Sequence, residues 1–133
     1  MPAMGAGAMY RRVQASTANP AQLAAMLCMG ALKFTVKAER ALEEKDIEGC
    51  HNFLVRAQAC VAELQASLDF QRGGPVAEQL YSLYEFAGRR LVEANVRKDR
   101  HAMAEAREVL SHLQQTWSML VNPEQAPPAV NAP

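Results

Sequence analysis

The stretch IEGCHNFLVRAQACVAELQASL, residues 47–68, decides the fold. Its apolar positions Ile47, Cys50, Leu54, Ala57, Val61, Leu64 and Leu68 recur at alternating intervals of three and four. At about 3.6 residues per turn this spacing lays one unbroken apolar stripe along a helix. A strand, whose side chains alternate with a period of two, does not fit it. A helix with such a stripe must bury it against other helices.

The same grammar extends in both directions. Upstream, Asn19 can cap a helix and Pro20 suits its first position, where the missing N–H costs nothing. That helix is expected to run to about Glu44. Downstream, Gln71-Arg72-Gly73-Gly74-Pro75 reads as a stop and a restart. A third helix then sets Val76, Leu80, Leu83, Tyr84, Ala87, Leu91 and Ala94 on one side. A fourth, entered near Asp99, does so with Met103, Ala106, Leu110, Leu113, Trp117 and Leu120, and Asn122-Pro123 ends it. Long helices joined by short turns must run antiparallel, so an all-α, up-down four-helix bundle is expected. Lys45-Asp46 and Lys98-Asp99 mark the first and third joins in the same dipeptide. The repeat hints at two related hairpins, though chance suffices for a match so short.

The chain of 133 residues is the right size for one domain, expected over residues 10–122. Residues 1–9 read as a flexible start and 10–18 as an arm. Residues 123–133, with four prolines, read as disordered or extended. Fourteen basic residues balance fourteen acidic ones, which argues against a general nucleic-acid binder. Three cysteines, Cys28, Cys50 and Cys60, without C-x-x-C spacing, suit free thiols in a reducing compartment. No export signal opens the chain, and the uncharged apolar run Leu23–Leu32 is about half of the ~20 residues that span a bilayer. A soluble, cytoplasmic protein without membrane insertion is the expectation.

No catalytic constellation emerges, and no cofactor or metal is expected. His101 and His112 stand roughly 16 Å apart along one helix, too far for a shared ion. Glu48-Gly-Cys-His51 is a single Glu-x-x-His where a di-iron bundle needs two. None of the histidines carries the following lysine and glycine of a phosphotransfer bundle. Gly5-Ala6-Gly7 lacks the strand and the third glycine of a dinucleotide site. The cluster Arg89, Arg90, Arg97, Lys98 and Arg100 reads first as a solvated helix end complementing the helix dipole, and second as a contact for an acidic partner.

The informative anomaly is the start of the first helix. From Ala21 to Leu32 only Gln22 is polar, so three turns are apolar on every side. Leu23, Met26, Leu27, Met29 and Leu32 therefore ask for cover beyond the bundle. Three remedies exist: the arm with Tyr10 and Val13 folds over, a second copy docks, or another protein does. Phe53, Phe70, Tyr81, Phe86, Val92, Val109 and Met119 also lie off the core stripes. Met26, Met29, Met103 and Met119 suit an adaptable surface for a helical ligand, or ordinary core filling.

These residues also carry a resemblance. Tyr10-Arg-Arg-Val-Gln-Ala-Ser-Thr17-Ala18-Asn19-Pro20, followed by Leu23 and Met26-Leu27-x-x-Gly30-Ala31, is similar to the opening of FliS, the flagellin-specific export chaperones. A second signature is Leu68-Asp69-x-x-x-Gly73-Gly74-x-x-Ala77-x-x-Leu80-x-x-Leu83-Tyr84, continued by Arg89-Arg90-Leu91-x-x-Ala94-Asn95. Trp117 is the third, and the match covers about residues 10–121. There are departures. Cys28-Met29 replaces a frequent aromatic–aspartate pair, Pro75 a usual glutamate, and Phe86-Ala87 a common tyrosine–methionine pair.

The resemblance implies a cytoplasmic, antiparallel bundle that binds the disordered C-terminal segment of flagellin. Binding prevents early polymerisation and helps deliver the subunit to the type III export gate. An anti-sigma factor is a further partner in the family. The resemblance implies that Tyr10 sits on an arm near the groove; with Val13 of that arm and the apolar surplus of the first helix, partner contacts are expected at Tyr10, Val13, Leu23, Met26, Leu27 and Met29. For Tyr84, Arg90 and Asn95 a contact and a structural role both stand open. A monomer is the expected free state, with a bundle self-associating through its first helix as the alternative.

Overall fold

The computed structural model describes residues 20–121, which form α1 (Pro20–Glu43), α2 (Ile47–Ala66), α3 (Phe70–Arg97) and α4 (Arg100–Val121). The all-α bundle expected from the periodicity is what these residues build. The arm, the proposed Asn19 cap and the proline-rich end lie outside the described residues.

Local chemistry sets each boundary. Pro20 opens α1 at the position where its ring is tolerated. Aspartates cap the other three helices. Asp46 Oδ1 accepts from the Gly49 N–H at 2.9 Å, Asp69 Oδ1 from Gln71 and Arg72 at 3.1 Å, and Asp99 Oδ1 from His101 at 2.9 Å.

The repeated Lys-Asp joins share a geometry. Lys45 and Lys98 both adopt the left-handed conformation, at φ 62° and 52°. The N–H of Asp46 reaches back to the Ala41 carbonyl at 2.8 Å, and that of Asp99 to the Ala94 carbonyl at 3.1 Å. Each dipeptide thus ends one helix and caps the next. A lysine is strained at positive φ, so Lys45→Gly is expected to stabilise the fold by about 0.5–1 kcal/mol in urea unfolding. Lys98→Gly should gain less, because Lys98 Nζ donates to the Asn95 carbonyl at 2.5 Å.

The interruption expected over residues 71–75 is present as a kink at Gly74, and a first break comes earlier, between Ala66 and Phe70. After its Asp69 cap α3 begins at Phe70, then kinks at Gly74, whose φ 50° and ψ −125° suit glycine alone. Pro75 continues the helix beyond the kink, where the interrupted ladder no longer needs its N–H.

Helix α1 packs on α2 and α4, and α3 packs on the same two, so the helices form a ring. Leu54, Leu64, Tyr84, Leu91, Met103 and Leu110 fill the centre. Alanines and cysteines, among them Ala31, Ala57, Cys60, Ala87 and Ala106, line the seams and let the helices approach closely.

The expected stripes need correction at four places. Ile47 is exposed because it is the first residue of α2, and Leu120 because it lies in the final turn of α4. In α3 the buried line runs Ala77, Tyr84, Ala87, Leu91, Ala94, which leaves Val76 at 61% exposure and Leu83 turned aside. Among the described residues no helix is long and apolar enough to cross a membrane.

Candidate functional site

The apolar surface asked for by α1 is present but smaller than the sequence suggests. Leu23 and Leu27 belong to the core, with Leu27 only 1% exposed. A helix at a corner of the ring is covered from two sides rather than one, which absorbs both leucines with Ala24, Cys28 and Ala31. Met26 and Met29 stay out at 41% and 40% exposure. They line a groove of about 450 Å³ between α1 and α4, with Ala25, Gly30, Phe34 and, from α4, Gln114 and Ser118. Its charged lining residues are Lys33 and Lys37. Met103 is fully buried and Met119 half-buried, so the methionine surface reduces to the pair on α1.

A larger groove, about 790 Å³, runs along the α2/α3 seam. Val61 and Gly88 meet at its floor, where a Cβ on Gly88 would stand 3.5 Å from Val61 Cγ1. Phe86, Ala62 and Val92 give it apolar walls, and Glu85, Arg89 and Glu93 a mixed rim. The reading that centred on α1 missed this groove. Its signal was a glycine inside a helix flanked by the off-stripe Phe86 and Val92. In the ring of helices this seam lies opposite α1/α4.

The second signature gathers at one end of the bundle. Leu68, Ala77, Leu80, Tyr84 and Trp117 line a pocket of about 290 Å³ at which Pro20 enters. Tyr84 is buried, and its hydroxyl accepts from Trp117 Nε1 at 3.0 Å. Burial pushes the Tyr84 phenol well above its ordinary range. A side chain at Gly73 would collide with Ala77, its Cβ falling 2.8 Å from that of Ala77.

Arg90 and Asn95 act as ties between helices. The Arg90 guanidinium donates through Nη1 to Glu93 and through Nη2 to Glu105 on α4. Asn95 Oδ1 accepts from Lys98 Nζ at 2.8 Å and faces His51 Nδ1 of α2 at 3.1 Å. Tyr84, Arg90 and Asn95 therefore hold the bundle together. Tyr10 and Val13 fall outside the described residues.

The basic cluster is partly neutralised rather than a bare patch, since Arg89 also pairs with Glu85 at 3.7 Å. Among the described residues no group of histidine, cysteine and carboxylate side chains is arranged to hold a metal ion.

A capped, kinked corner built on Asp69, Gly73, Gly74, Tyr84 and Trp117 is a specific arrangement. A family model described as flagellar protein FliS matches residues 3–124. The chain belongs to the FliS family.

Individual relatives agree. The flagellar secretion chaperone FliS of Bacillus subtilis is 30% identical over 115 residues, covering 86% of this chain and 85% of its own. That of Salmonella typhimurium is 35% identical, covering 78% of each. The flagellar secretion chaperone FliSB of Pseudomonas aeruginosa is 34% identical, covering 88% of this chain and 96% of its own. The similarity is to chaperones and points away from an enzyme. On this FliS bundle some signature residues tie helices together, as Tyr84 and Asn95 do, while Met26, Gly30, Arg89 and Arg90 also line the grooves.

Proposed function

We propose that this chain is a cytoplasmic flagellar export chaperone that holds the C-terminal segment of flagellin in the apolar grooves of its bundle. The observation that carries the reading is the pair of grooves on opposite seams, α1/α4 and α2/α3. A segment that is unstructured alone loses roughly 2–5 kcal/mol on ordering, so it needs a long apolar contact to compensate. Two grooves used in series by one wrapping segment supply more contact than either alone. Met26 and Met29 give one groove an adaptable lining, and Phe86 and Val92 give the other aromatic and branched walls. Tyr10 and Val13 belong in this reading to an arm that yields to the ligand. Shielding flagellin from polymerisation and passing it to the export gate follow from holding its tail.

Solution size and titration with a flagellin C-terminal peptide test this. A compact monomer that forms a 1:1 complex is expected. Met26→Glu/Met29→Glu is expected to weaken binding by about tenfold or more, the equivalent of ~1.4 kcal/mol, while the far-ultraviolet helix signal stays unchanged. A dimer indifferent to the peptide would replace the chaperone reading with a self-associating bundle. Full-strength binding by the double variant would take the ligand off α1.

A further inference from the structure

We infer that residues 122–133 are an internal ligand of the α1/α4 groove: the chain reverses at Asn122-Pro123 and lies extended over Met26, Met29 and Phe34, with Glu124 beside Lys33. This goes beyond the flagellin reading and does not depend on it.

The first support is where the chain leaves the bundle. Arg107 Nε on α4 bonds Glu39 Oε1 on α1 at 2.8 Å, while Gln114 and Ser118 of α4 wall the same groove as Ala25 to Phe34. The two helices therefore run antiparallel, and α4 ends at Val121, within a turn of Ser118. Val121 therefore stands at the mouth of the groove. A tether this short gives an effective concentration in the millimolar range before any contact forms.

Reach and composition also match. Ala25 to Lys37 spans about 18 Å of helix at ~1.5 Å per residue, and residues 124–133 extend over roughly 30 Å at ~3.1 Å per residue. Pro123, Pro127, Pro128 and Pro133 favour the extended form in advance, so docking orders little. Proline rings with Ala126, Ala129 and Val130 present apolar faces to a groove lined by methionine and phenylalanine.

Charge selects the groove. Glu124 is the one charged residue of 122–133, and the α1/α4 lining carries Lys33 and Lys37 with no carboxylate. The α2/α3 groove has Glu85 and Glu93 on its rim and sits on the opposite seam.

The test uses the full chain with methyl-labelled methionine and a nitroxide on Ala129→Cys. Cys28, Cys50 and Cys60 are buried, so the label attaches to the introduced thiol. The expected result is broadening of the Met26 and Met29 methyl signals beyond that of Met103, which lies near the start of α4. Lys33→Glu should reduce this broadening, and Lys33→Glu/Glu124→Lys should restore it. Broadening of Met26 and Met29 that Lys33→Glu leaves unchanged overturns the proposal, because a free tail anchored at Val121 also comes nearer to them than to Met103. So does broadening of Met26 and Met29 from a label on Ala8→Cys but not Ala129→Cys, which would put the N-terminal arm in the groove. Broadening seen only between labelled and unlabelled copies assigns the groove to a second molecule and also overturns it. No flagellin enters the experiment, so its outcome leaves the chaperone reading untouched.

Discussion

Leu27→Glu is expected to unfold the chain at neutral pH, while Met26→Glu, one position earlier, leaves the helix content intact and costs less than about 1 kcal/mol. The two side chains stand about 100° apart on the same turn of α1. Leu27 is enclosed by the bundle at 1% exposure, whereas Met26 is 41% exposed on the groove. A carboxylate at position 27 would be taken out of water with no cation to meet it, at a cost of several kcal/mol. A domain of this size has about 5–15 kcal/mol in total, and this loss consumes much or all of it. At position 26 the carboxylate keeps its water, and glutamate is about as good a helix former as methionine. Far-ultraviolet circular dichroism with urea unfolding of both variants checks the contrast. A folded Leu27→Glu protein with near-normal stability would mean that α1 does not seat against α2 and α4 as described.

That contrast marks the limit of what periodicity reveals. The number and extent of the helices were legible because Asp99, Pro20 and the three-four spacing act within one helix at a time. The stripe of α2 is an example: Cys50, Leu54, Ala57, Val61 and Leu64 are all buried. Which face of α1 stays outside was not legible, because a segment apolar all round has no preferred side until its neighbours are placed. Helix α3 misled for another reason. The kink at Gly74 precedes a turn in which Ala77 rather than the larger Val76 meets the core.

The grooves were the least legible feature. Each is a property of two helices in register, such as Val61 on α2 against Gly88 on α3, and no single helix displays it. The signature residues were easy to see, but the part each plays in the bundle was not legible without its neighbours. Tyr84, Arg90 and Asn95 form a bonded corner and two interhelical ties, and Tyr84 and Arg90 also line surface hollows. Arg90 does reach the α2/α3 groove, yet its guanidinium is engaged by Glu93 and Glu105.

Raising the pH above about 9 is expected to unfold the bundle steeply, because its thiols are held protonated inside. Burial pushes the Cys28 thiol from 9.0 up to about 12, with the nearby Cys60 thiol adding to the effect. Burial pushes Cys60 from 9.0 up to about 11. Cys50 moves in the same direction, again chiefly by burial. For each group the folded value lies above the unfolded one. The folded chain therefore keeps a proton that the unfolded chain releases between the two values. The stability these thiols contribute is fully present below the unfolded value and falls as the pH rises towards the folded one. Each thiol adds a slope of about 1.4 kcal/mol per pH unit in that window, so Cys28 and Cys60 together remove roughly 3. Two units above pH 9 then take away ~5 kcal/mol, the lower end of the whole stability of such a domain. Tyr84 joins in above about pH 10, since its phenol is raised as well. Urea unfolding at pH 8, 9 and 10 measures the slope. Cys28→Ala/Cys60→Ala should be less stable at pH 8 through lost packing, yet lose stability far more slowly between pH 9 and 10. A slope unchanged in that variant would mean that α1 and α2 do not exclude water from the seam where these thiols lie.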